Sequence, residues 1–136
     1  MEIALTPLEF MRRARRLYGA REAVVDGDLR LTYEQLFDRC DRWSAALAAM
    51  GVGAGDRVAY IAPNTHAQLE SFYAVPQLGA VLVPMNYRLT ADDFVYMVVG
   101  DQRTTARPFG REHPALAAAT PRGGPVYRAA SRRGCG

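Results

Sequence analysis

Residues Asp56–Asn86 read DRVAYIAPNTHAQLESFYAVPQLGAVLVPMN, and the alternation of apolar and polar segments in this stretch decides the fold. The apolar run Val58-Ala59-Tyr60-Ile61-Ala62 meets a Pro-Asn-Thr break. An amphipathic segment follows, then Gly79 and a second apolar run, Val81-Leu82-Val83. Short continuous apolar runs on either side of a helical pattern predict buried parallel strands joined by a helix, a βαβ crossover. Within the crossover, Asn64 is placed to cap the helix, and Leu69, Phe72 and Tyr73 supply its sheet-facing stripe. Pro76 removes a backbone donor and should kink or restart the helix there. The fold class that follows is α/β.

On the N-terminal side, Ala23-Val24-Val25, Asp26-Gly27-Asp28 and Leu29-Arg30-Leu31-Thr32-Tyr33 predict a hairpin about an Asp-Gly turn. Its second strand runs into Thr32-Tyr33-Glu34-Gln35, a capping-box pattern. Leu36, Cys40, Trp43, Leu47 and Met50 then recur at helical steps until Gly51, placed as a C′ glycine. Earlier still, Thr6-Pro7-Leu8-Glu9 opens a helix, with Thr6 as N-cap and Pro7 at the first position. Phe10, Met11, Ala14, Leu17 and Tyr18 form its core stripe, opposite Arg12, Arg13, Arg15 and Arg16. These arginines suit a phosphate or nucleic-acid patch. They equally suit a solvated face near Glu9 and Glu22, the commoner use of such a charge run.

Beyond the crossover, Pro84-Met85-Asn86-Tyr87-Arg88 reads as a loop. Thr90 caps a short helix carrying Asp92 and Asp93 in its first turn, with Phe94, Met97 and Val98 apolar. After Gly100 the pattern ends. Residues 103–136 hold four Pro, five Gly and seven Arg, with few large apolar side chains. Such a segment does not bury enough surface to offset its ordering entropy, and it is expected to be disordered.

Composition agrees with a boundary near Asp101. The 136-residue chain carries a net charge of +3 and no Lys; every basic residue is Arg. Residues 1–102 are acidic (10 Arg against 13 Asp and Glu), whereas residues 103–136 hold 7 Arg and one acid. No apolar run approaches the ~18 residues of a membrane-spanning helix. The N-terminal stretch lacks a basic start followed by an apolar segment, so no secretory signal is expected. Cys40 and Cys135 have no metal or redox spacing, which fits a reducing cytoplasm.

The search for chemistry returns little. No P-loop, GxSxG elbow, HExxH or paired-Cys motif is present. His66 and His113 have no partners at ligand spacing, and His66 reads as a surface residue. Cys40 and Trp43 sit on a core stripe. Asp92-Asp93 serves a helix start, and Asp26/Asp28 a turn. Gly53 and Gly55 in GVGAGD precede the strand rather than follow it, the wrong order for a phosphate-binding turn. Catalytic, cofactor-binding and metal residues are therefore assigned to no position.

Taken together, AVVDGDLRLTYEQLFDRCDRWSAALAAMGVGAGDRVAYIAPN and QLGAVLVPMNYRLTADDFVYMV resemble the N-terminal part of acyl-CoA synthetases, the fatty-acyl-CoA ligases of the AMP-binding, adenylate-forming enzymes. The resemblance is continuous over residues 5–102. It implies an incomplete N-terminal α/β part of the adenylate-forming large domain in residues 1–102, with residues 103–136 as an unrelated tail. It also implies a carboxylic (fatty) acid, ATP and coenzyme A as substrates, with Mg2+ accompanying the ATP. In that family, phosphate binding and catalysis fall to a Gly/Ser/Thr-rich loop ending in Pro-Lys-Gly, to acidic residues beyond it, and to a Lys of a C-terminal domain. None has a counterpart here, so the expectation is a truncated ligase, inactive alone and binding no cofactor itself. Where the family continues with Ser-Gly-Ala and a strand, this chain turns Arg- and Pro-rich. Reading the codons of Asp101-Gln102-Arg103 one base later permits Thr-Ser-Gly, which suggests an out-of-frame tail. An alternative is a small non-catalytic module whose basic tail binds nucleic acid or another anion; under the ligase reading no nucleic acid is expected. Uncovered sheet edges suggest self-association.

Overall fold

A computed structural model of the chain describes residues 6–99, 104–109 and 126–131, the last two segments as backbone. Helix α1 (Pro7–Tyr18) leads into a hairpin of β1 (Glu22–Asp26) and β2 (Leu29–Thr32). Helix α2 (Tyr33–Ala49), strand β3 (Arg57–Ile61), helix α3 (His66–Ala74), a 3-10 turn (Pro76–Leu78), strand β4 (Val81–Met85) and helix α4 (Ala91–Val99) follow. Strands β5 (Thr104–Phe109) and β6 (Val126–Ser131) complete the order.

The local punctuation follows the sequence closely. The hairpin pairs Asp26 with Leu29 across Gly27-Asp28, and Gly27 takes the positive φ of 60° that such a tight loop favours. At the start of α2, Gln35 N donates to Thr32 Oγ1 (3.3 Å) and Thr32 N donates to Gln35 Oε1 (2.9 Å), a complete capping box. The same helix ends in a Schellman motif. Val52 N donates to Leu47 O (3.0 Å), Gly51 N donates to Ala48 O (2.9 Å), and Gly51 sits at φ 84°. Helix α1 is simpler than expected: Thr6 makes no side-chain cap bond, and Glu9 instead pairs with Arg12.

The crossover is parallel, Arg57 facing Val81 and Ile61 facing Met85. Pro76 ends α3 and opens the 3-10 turn, which Gly79 closes at φ 69°. A Cβ added at Gly79 would lie 3.1 Å from Ala54 Cβ, so the position also needs its small size. Gly53–Asp56 form the expected turn, Asp56 Oδ2 accepting from Gly53 N at 2.9 Å.

The main sheet runs β4-β3-β6-β5, with β3 paired antiparallel to β6, and β6 antiparallel to β5. Two short stretches of the tail, 104–109 and 126–131, are placed in this sheet. The edge of β3 away from β4 carries backbone donors and acceptors that need partners, and β6 supplies them. Thr104-Thr105 and Val126-Tyr127 are residues with good strand propensity. Pro84 in β4 and Pro108 in β5 fall on the two outer strands, where a missing N–H is tolerated. The remaining tail residues, His113 and Cys135 among them, lie outside the described residues, as does the side chain of Val98.

The core gathers between α2 and β3. Trp43, Tyr60, Phe37, Leu47, Val58 and Cys40 are buried; Trp43 meets Tyr60 edge-on at 5.1 Å, and Phe37 meets Tyr73 at 5.3 Å. Two expected stripes are corrected. In α3 the buried residues are Ala67, Glu70, Ser71 and Ala74, while Leu69 and Phe72 are exposed. That face meets α2, where the Cys40 thiol donates to Glu70 O at 3.7 Å. In α1 only Met11 is buried.

Candidate functional site

In open α/β sheets, ligands bind in the crevice beyond the carboxyl ends of the parallel strands. A cavity of about 640 Å³ occupies that position here. Ala62, Pro63 and Asn64 follow β3 into it, Pro84 and Met85 end β4 there with Asn86, Tyr87 and Arg88 following, and Gln68 and Phe72 reach it from α3. Its size suits a small ligand.

The β4 end of the cavity is built by its own backbone bonds. Asn86 Oδ1 accepts from Arg88 N at 3.0 Å, an Asx turn, and Asn86 O accepts from Leu89 N at 3.2 Å. Arg88 folds back over the Tyr87 ring, its Cζ 5.4 Å from the centroid, and Nε donates to the Tyr87 hydroxyl at 3.1 Å. Thr90 and Asp93 then fix the start of α4: Thr90 N donates to Asp93 Oδ2 (3.0 Å), and the Thr90 hydroxyl donates to the same oxygen (2.7 Å). These bonds hold the Asp93 carboxyl below its ordinary range, the hydroxyl bond contributing most.

The lining offers both polar and apolar contacts. Three amides (Asn64, Gln68, Asn86) and one guanidinium (Arg88) offer polar contacts, and Phe72, Met85 and the prolines offer apolar wall. No carboxylate, His, Cys or Ser is among them, and the Tyr87 hydroxyl already accepts from Arg88 Nε. The magnesium ion implied by the resemblance needs oxygen donors of the carboxylate kind. The residues present do not fit it. Among the described residues, no three His, Cys, Asp or Glu side chains converge.

The residues weighed from sequence go elsewhere. Cys40 is buried on the α2 stripe, its thiol pushed up to about 12 by burial and by nearby Glu70. Arg15 bonds Asp38 and Asp41 of α2, not Glu22, which Arg30 holds at 3.1 Å. His66 is not a surface residue. Asp26 Oδ2 accepts from His66 N (2.9 Å) and lies 2.6 Å from Nδ1, so the hairpin carboxylate caps α3 in place of Asn64 or Thr65. This capping holds Asp26 below the usual carboxylate range, the His66 backbone N–H first and the ring second. A second tertiary pair escaped the sequence reading: Arg39 Nε meets Glu70 Oε1 at 2.5 Å, joining α2 to α3, with Glu70 fully buried. Partners 31 and 40 residues apart leave no signal in local spacing.

The AMP-binding enzyme family model matches residues 10–100. The chain belongs to the AMP-binding enzyme family. It is 44% identical over 89 residues to a probable peroxisomal acyl-activating enzyme 12 of Arabidopsis thaliana, covering 65% of this chain and 15% of that protein. It is 41% identical over 99 residues to a peroxisomal acetate/butyrate–CoA ligase of the same plant, covering 73% and 17%. Among solved structures, a putative long-chain-fatty-acid CoA ligase from Rhodopseudomonas palustris superposes with a TM-score of 0.65 at 35% identity, over 69% of this chain and 24% of that one. This AMP-binding chain thus spans about one-sixth of the length of the curated relatives it matches.

Proposed function

We propose that this chain supplies the opening α/β portion of the large domain of an ATP-dependent carboxylate–CoA ligase, and that it catalyses nothing alone. In the whole enzyme a carboxylate oxygen attacks the α-phosphorus of ATP and pyrophosphate leaves. The thiol of coenzyme A then displaces AMP from the acyl-adenylate. Positioning the reactants and neutralising the phosphate charge dominate such a reaction. This chain's contribution is the parallel β3–β4 platform and one wall of the crevice beyond it.

The observation that carries the proposal is the family match over residues 10–100 in a chain that has no Lys and no Gly/Ser/Thr-rich phosphate loop. A fatty or other small carboxylic acid is the substrate class, supported by the names of the relatives. The experiment is pyrophosphate release from ATP and Mg2+ by the purified chain, with a panel of short and long carboxylic acids. The expected result is release no faster than without protein; acid-dependent release would overturn the proposal.

Residues 103–136 depart from the family because, we propose, they are translated out of frame. The end of the family match at residue 100 supports this. Sequencing the gene tests it, since the shifted frame must encode the phosphate-loop motif. Exposed Leu69, Phe72 and Val81 support self-association, which light scattering would detect as a concentration-dependent mass. A cytoplasmic location belongs to the same reading, and imaging of the tagged chain tests it; the curated relatives include enzymes named peroxisomal.

A further inference from the structure

The α1 helix carries apolar side chains that the fold does not use. Phe10 is 61% exposed, Leu17 50% and Tyr18 44%, although all three fall on the apolar stripe of the sequence. Phe10, Arg13 and Leu17 stand at i, i+3 and i+7, one line along the helix. A depression of about 470 Å³ runs beside Phe10, lined also by Glu9, Arg12, Arg13 and Arg16. Phe10 and Arg13 also border a second hollow of about 350 Å³, walled by Tyr18, Tyr33 and Phe37.

The charges on this helix divide into used and unused. Arg15 is spent on Asp38 and Asp41 and Arg12 on Glu9, while Arg21, beyond the helix, lies over the Tyr18 ring at 5.3 Å. Arg13 and Arg16 are exposed and have no anionic partner among the described residues. Two guanidinium groups without an anionic partner among the described residues therefore lie along one side of an exposed Phe and Leu on one helix.

We propose that this face of α1 docks on an anionic phospholipid surface. Guanidinium groups take phosphate oxygens in bidentate pairs, and Phe10 and Leu17 enter the headgroup boundary beside them. The helix would lie in the plane of the interface; among the described residues no helix is long and apolar enough to cross a membrane. A nucleic acid would satisfy Arg13 and Arg16 equally well, but it offers no apolar phase for Leu17. That apolar component separates lipid from the other anions. The proposal does not depend on the ligase reading.

The test is co-sedimentation of the 136-residue chain with phosphatidylcholine vesicles, with and without phosphatidylglycerol. Binding is expected only to the mixed vesicles. Replacing both arginines (R13Q/R16Q) should weaken it about 30-fold, each basic residue near an anionic surface being worth about 1 kcal/mol. F10S/L17S should weaken it about tenfold or more while keeping its dependence on salt. All four side chains are exposed or outside the core, so circular-dichroism melts of both variants should match the parent. The arginines of residues 103–136 can also attract anionic vesicles, but that binding would not respond to F10S/L17S. Overturning results are absence of vesicle binding, equal binding to both vesicle types, binding unchanged in F10S/L17S, or duplex DNA competing fully for the same arginines without sensitivity to F10S/L17S.

Discussion

The Arg39–Glu70 pair allows the packing of α2 on α3 to be tested by asymmetry. Glu70 is fully buried and Arg39 keeps 19% of its side chain exposed, with 2.5 Å between Nε and Oε1 and 3.5 Å between Nη2 and Oε2. Replacing Glu70 by Gln leaves a guanidinium that can turn partly to water, for a cost of about 2 kcal/mol. Replacing Arg39 by Met strands a carboxylate with no access to water, and a buried pair broken in this way costs about 3–5 kcal/mol. A domain of this size has a total stability of about 5–15 kcal/mol, so R39M should remove a large share of it and lower the urea midpoint well below that of E70Q. The double variant E70L/R39M removes both charges and should recover most of the loss, because an apolar pair of similar volume carries no desolvation penalty. Urea unfolding followed by Trp43 fluorescence gives all three values. Equal losses below about 0.5 kcal/mol in both single variants would show that α2 and α3 do not depend on this pair.

Other consequences follow from single residues. Asp26 is held below its ordinary range by its bonds to His66, so its share of stability is present above the unfolded value of about 3.9 and is lost as pH falls through the lower folded value; D26N should flatten the acid limb of a stability–pH curve below about pH 4, and an unchanged limb would contradict the clasp. Cys40 is buried with its thiol pushed up to about 12, so at pH 8 iodoacetamide should leave it unlabelled in the native chain and label it in urea, read by peptide mass spectrometry. Gly51 sits at φ 84° in the Schellman turn, and Gly51→Ala should cost about 1–2 kcal/mol in the same urea assay.

The parts of this fold that were legible in the sequence are those written in local spacing. Thr32 and Gln35 are three residues apart, the Leu36-Cys40-Trp43-Leu47 stripe repeats every three or four, and Gly51 follows its helix directly; each needs only its neighbours to be read. Leu69 and Phe72 were misplaced because an apolar residue on a helix says nothing about which face a neighbouring helix will occupy. The face of α3 that is buried carries Ala67, Glu70, Ser71 and Ala74, and it leaves those two outward. His66–Asp26 and Arg39–Glu70 were missed because either partner alone looks like an ordinary surface charge. Strand β6 has no local signal, since a Gly- and Pro-rich tail argues against order, whereas the open edge of β3 argues for a partner. The crevice beyond β3 and β4 was legible only as two loops, since its lining exists once the parallel register sets Ile61 beside Met85.

The proposed role of residues 10–100 is a platform for ligase chemistry supplied by other parts of a larger domain. The direct test is acyl-CoA formation by a ligase of the family in which the matching N-terminal segment has been replaced by residues 10–100 of this chain. The expected result is a folded chimera that forms acyl-CoA from a carboxylic acid, ATP and coenzyme A. A chimera that folds but forms neither acyl-adenylate nor thioester would contradict it.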